Sequence, residues 1–256
     1  MLGSIIGDIC GSKYEWENYI GDADKISLSY PEMDFTDDTI MTIAVLDWLQ
    51  EKKFSNKQSL IDKFKLYFEK YPHRGYGSSF ANWCSSPYNE AYNSYGNGSA
   101  MRTSFVPLFC SDKQEVLDLS KTVAEVTHNH IEGIKGSQAI SLAIFMALNG
   151  SDKSEIKTEI ETTFNYFLDF DFQELVDKYT FDVTCQGSVP ESIYCFLISD
   201  NFEDCLRKCI MIGGDTDTIC CMAGGIAEAY YKEIPFNLKN DCLDKLPIHL
   251  KNVLNK

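Results

Sequence analysis

The 256-residue chain has little positive charge: 23 lysines and arginines stand against 38 aspartates and glutamates, a formal net charge of −15. Non-specific binding to nucleic acid or to an anionic membrane relies on clustered lysine and arginine, and this balance argues against both. A small anionic ligand in a local pocket stays compatible with it. Ten cysteines are present, but no Cys-x-x-Cys pair occurs. Cys205 and Cys209 lie four apart and Cys220 and Cys221 are adjacent within an apolar run, so the cysteines read as reduced, buried small hydrophobes. Met1-Leu2-Gly3 lacks a basic leader and Asp8 interrupts the first apolar stretch. No secretory signal is therefore expected, and the expected location is cytoplasmic. No run reads as long enough to span a membrane. A Gly-x-Ser-x-Gly elbow and a Walker A sequence are both missing, which removes support for those enzyme classes. There is no repeat, no low-complexity segment and no sustained apolar–polar alternation that would demand a sheet.

What the chain does have is helical patterning and two acidic helix openings. Gly213-Gly214-Asp215-Thr216-Asp217-Thr218-Ile219 leads into a run to Tyr231 of almost wholly small or apolar residues. Such a run predicts a helix packed on all sides, with Ala223, Gly224, Gly225 and Ala227 admitting close neighbours. Phe35-Thr36-Asp37-Asp38-Thr39 opens a second apolar run to Trp48 in the same way. The plainer reading of each stretch is capping, because Thr and Asp suit N-caps and acids suit the positive end of a helix dipole. Two such ends read differently if they meet. Four carboxylates would then converge beside apolar helices, a costly arrangement unless they are protonated or neutralised by a cation. Oxygen donors without Cys or His point to Mg²⁺, Mn²⁺ or Ca²⁺ rather than zinc.

Leu2 to Ser12 carries Leu2, Ile5, Ile6 and Ile9 at helical spacing, with Gly3, Gly7 and Gly11 four apart. These glycines predict one bare stripe where another backbone can approach. A loop is expected over 19–35 and a helix from Asp37 to about Lys52. Lys57–Lys70 is amphipathic, with Leu60, Ile61, Phe64, Leu66, Tyr67 and Phe68 toward one side. Residues 71–100 read as a long irregular segment rich in Gly, Asn, Ser and Tyr, of the kind that carries function. Helices are then expected over Lys113–Thr127, Gly133–Leu148, Asp152–Leu168, Phe172–Lys178, Val189–Ile198, Phe202–Ile212 and Cys242–Leu254. The sum predicts a single all-α domain over residues 1–256.

Several side chains suggest chemistry. Glu15 follows the glycine-striped helix and reads as a general base or gate, or as a solvated surface acid. Asp8 reads equally as a structural acid bonded to nearby backbone. Gly75–Gly77 and Gly96–Gly98 expose backbone N–H groups suited to phosphate oxygens, or to ordinary turns. Tyr76, Tyr92 and Tyr95 beside them could stack on a base or simply pack. His128 and His130 lack a third zinc ligand, so hydrogen bonding or capping is the default.

These residues also resemble, in order, a known family. Gly7-Asp8-Ile9-Cys10-Gly11-Ser12, Tyr14-Glu15, Thr36-Asp37-Asp38-Thr39, Arg74-Gly75-Tyr76-Gly77, Ser94 through Arg102, Thr127-His128, Ser188-Val189-Pro190 and Gly213 through Thr218 look like the motifs of the ADP-ribosylglycohydrolases. That resemblance implies an all-helical fold with a binuclear Mg²⁺ or Mn²⁺ centre at helix N-termini, at the base of an ADP-ribose cleft. By position it assigns Thr36, Asp37, Asp38, Asp215, Asp217 and Thr218 to the metals. Glu15 becomes gate and possible base, with Asp38 the alternative proton acceptor. Gly75, Tyr76, Gly77, Tyr92, Ser94, Tyr95, Gly96, Asn97, Gly98 and His128 fall on the substrate, with Tyr92 and Tyr95 both candidates to stack on adenine. The implied activity is hydrolysis between ADP-ribose and an acceptor, an ADP-ribosylated protein or a small molecule. Alternatives are another ADP-ribosyl conjugate, such as O-acetyl-ADP-ribose or a nucleic-acid end, or a module that binds ADP-ribose without turnover.

Overall fold

The computed structural model describes residues 1–16, 19 and 21–256. Ile20, within the loop expected over 19–35, lies outside the described residues. Thirteen α-helices and no strand are found among the described residues. They are α1 Gly3–Gly11, α2 Asp37–Gln50, α3 Lys57–Lys70, α4 Ser78–Ser85, α5 Lys113–Glu125, α6 Ile131–Leu148, α7 Lys153–Phe164, α8 Phe172–Lys178, α9 Cys185–Leu197, α10 Phe202–Ile212, α11 Thr216–Tyr231, α12 Phe236–Lys245 and α13 Ile248–Leu254.

The centre is an antiparallel pair, α1 against α11, and both helices are almost wholly buried. The glycine stripe explains the pairing. A Cβ placed on Gly3 would lie 2.2 Å from the Gly224 carbonyl oxygen, one on Gly7 2.0 Å from that of Cys220, and one on Gly11 2.5 Å from that of Thr216. Backbone therefore lies directly on backbone along the whole contact, and no side chain fits between the helices. The 3–224, 7–220, 11–216 register brings the end of α1 beside the start of α11. Thr216 Oγ1 locks this end by donating to the Gly11 carbonyl at 3.0 Å.

Helix α2 is tied to the same end by Asp8. Its carboxylate accepts the backbone N–H groups of Thr36 and Thr39, each at 3.0 Å, and the Thr36 hydroxyl at 2.7 Å. Asp8 thus caps a neighbouring helix from within α1, satisfying N–H groups that α2 cannot satisfy itself. Around this triple junction stand α6, α9 and α10, which pack on α11.

Several elements differ from the sequence expectation. The segment 71–100 is not irregular throughout: Phe80, Trp83 and Cys84 turn inward from α4, whose short apolar pattern is hidden among serines and glycines. Leu66 of α3 is 42% exposed rather than on the buried side. Helix α9 starts at Cys185, capped by the Thr184 hydroxyl, which accepts the Gly187 N–H. Pro190 stands inside it rather than near its first turn. The closing segment is two helices, split at Leu246-Pro247, because proline cannot continue the ladder of α12 and opens α13 instead. Finally, α6 has 18 residues and a mean hydropathy of 1.2, long and apolar enough to cross a membrane by those measures, so the expectation of no such run does not hold. Within the fold it packs against α5, α9 and α11.

Gly7→Ala should destabilise the protein by about 3 kcal/mol, since overpacking here meets backbone that cannot give way. A lowered urea midpoint with unchanged slope would show it. An unchanged midpoint would contradict the backbone contact.

Candidate active site

Where α1, α2 and α11 converge, a cleft of about 400 Å³ opens. Its floor is acidic. Asp38 is 2% exposed, Asp215 6% and Asp217 5%, and Asp37 and Glu15 also face the cleft. The oxygens of Glu15, Asp215 and Asp217 lie within 4.8 Å of one another. Thr218 joins the two acidic helix starts: its hydroxyl donates to Asp38 Oδ2 at 3.1 Å.

Capping accounts for only part of this. Thr36 does cap α2, accepting the Asp38 N–H at 3.3 Å. Asp215 is the N-cap residue of α11, yet its side chain makes no capping bond. It turns to the cleft and accepts the Asn97 side-chain amide at 2.7 Å. Gly213 and Gly214, with φ of 74° and 77°, allow that turn because such angles are strained for other residues. The buried Asp38 Oδ1 has no hydrogen-bond partner among the described residues. An unpaired buried carboxylate oxygen, facing other carboxylates, fits a hard divalent cation, and the donor set is wholly oxygen.

The carboxyls repel one another in low dielectric. Burial raises Asp37, Asp38 and Asp217 well above the ordinary carboxyl range, and neighbouring carboxylates add to the rise. Asp215 is also raised by burial, with bonds from its neighbours opposing. Burial, together with Asp215, pushes Glu15 up to about 7. Burial lifts Asp8 to about 6 against the pull of its threonine bonds.

The opposite wall is built from 92–98. Asn97 N–H donates to the Val183 carbonyl at 2.8 Å and Cys185 N–H to the Tyr95 carbonyl at 2.9 Å, so this glycine-rich segment is fixed against the start of α9. Tyr92, Ser94, Gly96, Asn97, Gly98 and His128 line the cleft, as do Gly75 and Gly77 across from them. His128 is 4% exposed and held neutral by burial and by the Arg102 guanidinium. Arg102 donates to Thr127 Oγ1 at 2.8 Å, and Thr127 Oγ1 lies 2.7 Å from His128 Nδ1. His128 Nε2 faces Gly96 and Gly98.

Three sequence-derived candidates lie outside the cleft lining. Thr36 binds Asp8 and Asp38, as above. Tyr76 stacks on Phe80 with ring centroids 5.7 Å apart. Tyr95 is 47% exposed and packs beside His130, 5.3 Å away. His130 itself caps α6, its Nδ1 accepting the Glu132 N–H. Conversely, Trp16, Met41, Phe80, Phe181 and Val183 line the cleft without having been singled out. Only for Trp16 was there a cue, its place beside Glu15; Phe181 stands in a segment with no glycine signature.

An all-helical protein with a carboxylate floor facing a glycine-rich wall defines a class of cleft suited to a metal-assisted reaction on a phosphorylated ligand. The chain belongs to the ADP-ribosylglycohydrolase family, whose model matches residues 1–254. It is 29% identical to a protein named ADP-ribosylhydrolase ARH3 from Gallus gallus, over 94% of this chain and 87% of that one. It is 24% identical to the ADP-ribosyl-[dinitrogen reductase] glycohydrolase of Rhodospirillum rubrum, over 77% of this chain and 68% of the other. Among solved structures, an ADP-ribosylglycohydrolase-related protein complex matches with a TM-score of 0.73 and 20% identity, covering 98% of this chain and 93% of that one; at that identity the likeness is one of fold.

The raised carboxyls yield a pH prediction. A folded state with carboxyl values of about 6 and 7 holds more protons than the unfolded chain above about pH 4, so stability falls as pH rises through that window. In chelator, Tm should drop between about pH 5 and pH 8, and a divalent cation should raise it most at the upper end. A Tm that rises with pH in chelator would contradict the electrostatic account.

Proposed function

We propose that this protein hydrolyses the bond between ADP-ribose and an acceptor, an ADP-ribosylated protein side chain or a small molecule, and releases ADP-ribose. The observation that carries this reading is the convergence of Glu15, Asp37, Asp38, Asp215 and Asp217 at one end of a cleft whose other wall is the 92–98 segment with His128. Two divalent cations, Mg²⁺ or Mn²⁺, would be held by Asp37, Asp38, Asp215, Asp217 and Thr218, with Thr36 at the edge. When bound, they would supply Lewis acidity to ribose hydroxyls and water.

The chain's own groups divide the remaining work. Glu15, whose oxygen lies within 4.8 Å of those of Asp215 and Asp217, is placed to take a proton from water over the floor; Asp38, whose Oδ1 has no hydrogen-bond partner among the described residues, is the other candidate base. Asn97 orients Asp215. His128 presents Nε2 to a ligand held along Gly96–Gly98. Tyr92, half-buried and 5.9 Å from the His128 ring, offers a face for a base. The names of the relatives support the ADP-ribose class. A cytoplasmic setting belongs to the same reading, supported by ten free cysteines, nine of them buried.

The test is ADP-ribose release from matched serine-linked and arginine-linked peptides, in Mg²⁺, in Mn²⁺ and in EDTA. Metal-dependent release from either is expected, and Asp217→Asn should lower it at least about 100-fold with the fold retained. Tight ADP-ribose binding without release from any conjugate would replace this reading with a binding module.

A further inference from the structure

Trp16 directly follows Glu15 and is 78% exposed. Its ring stacks on Phe181, with centroids 6.1 Å apart and planes 25° apart, and both rings line the cleft. They come from different sides of it. Trp16 belongs to the turn after α1, and Phe181 to the extended stretch before α9. That stretch is fixed: the Val183 carbonyl accepts the Asn97 N–H at 2.8 Å, and Asp182 Oδ1 accepts the Thr184 N–H at 2.7 Å. The stack therefore ties the residue next to Glu15 to an anchored wall.

Glu15 sits where such a tie is required. Its oxygen is close to those of Asp215 and Asp217, and like charges push it away from the floor. Trp16 is the next residue in the chain, so the stack on Phe181 restrains the backbone from which the Glu15 side chain reaches the floor.

We propose that Trp16 is a positioning residue for Glu15, held in place by its stack on Phe181, and that the pair sets where the Glu15 carboxylate stands over the acidic floor. The proposal rests on the reading of Glu15 as acting in ADP-ribosyl hydrolysis. It assigns the two rings to alignment rather than to substrate affinity.

Three variants test the stack: W16A and F181A remove it, and W16F keeps an aromatic face for it. With a conjugate that the wild-type enzyme cleaves, W16A should lower kcat about tenfold or more, with KM and the calorimetric Kd for ADP-ribose within about threefold of wild type. W16F should recover most of the loss, and F181A should also lower kcat. Wild-type kcat in W16A and F181A would overturn the proposal, and so would a loss that falls on KM, which would make the rings substrate contacts. If wild-type protein cleaves no conjugate, the functional reading fails, and the stack is tested by fluorescence. Of three tryptophans, Trp48 and Trp83 are buried, so acrylamide reports chiefly on Trp16. F181A should raise the quenching constant and shift emission to the red; unchanged quenching would overturn the pairing.

Discussion

The contact on which the rest depends is the backbone-to-backbone packing of α1 on α11. Gly3, Gly7 and Gly11 leave no side chain between the helices, so sterics fix the antiparallel register, and the Thr216 bond to the Gly11 carbonyl locks its end. That register places Glu15, just past α1, beside Asp215 and Asp217 at the start of α11. Asp8, on the same turn as the glycine contact, reaches sideways and caps α2, which brings Asp37 and Asp38 to the same point. One close helix contact and the Asp8 cap together assemble carboxylates from three separate stretches of chain.

That assembly carries an electrostatic strain which the fold does not relieve by itself. Threonine hydroxyls, one asparagine amide and backbone N–H groups bond to individual oxygens, but the carboxyls remain raised by burial and by one another. Proteins keep such clusters where a cation or a proton compensates them. The site is thus stable in two ways, protonated at low pH or neutralised by divalent cations near neutral pH, and only the second leaves carboxylates free to orient water.

Much of this was legible from residue patterns. The glycine spacing foretold a helix contact, and the stretches expected as α3, α8 and α10 form helices with the expected ends. The two acidic openings were visible as a pair, although only the fold shows that Thr36 caps while Asp215 does not. Local pattern failed where the decisive partner is remote. Helix α4 is short and its serines mask the inward Phe80 and Trp83, and α9 begins before Pro190 because Thr184 caps it, a detail that one proline signal obscures. Tyr92 and Tyr95 look equivalent in sequence, yet Tyr92 faces the cleft while Tyr95 leans on His130. The Trp16–Phe181 stack joins residues far apart in the chain and has no local signature at all.

The central claim is that the converging carboxylates hold divalent cations. The most direct measurement is anomalous diffraction from crystals grown with Mn²⁺ near neutral pH. The account predicts strong manganese peaks between the starts of α2 and α11, at bonding distance from oxygens of Asp37, Asp38, Asp215 and Asp217. A cleft that contains ordered water and no manganese at that point, with Mn²⁺ in excess, would contradict it.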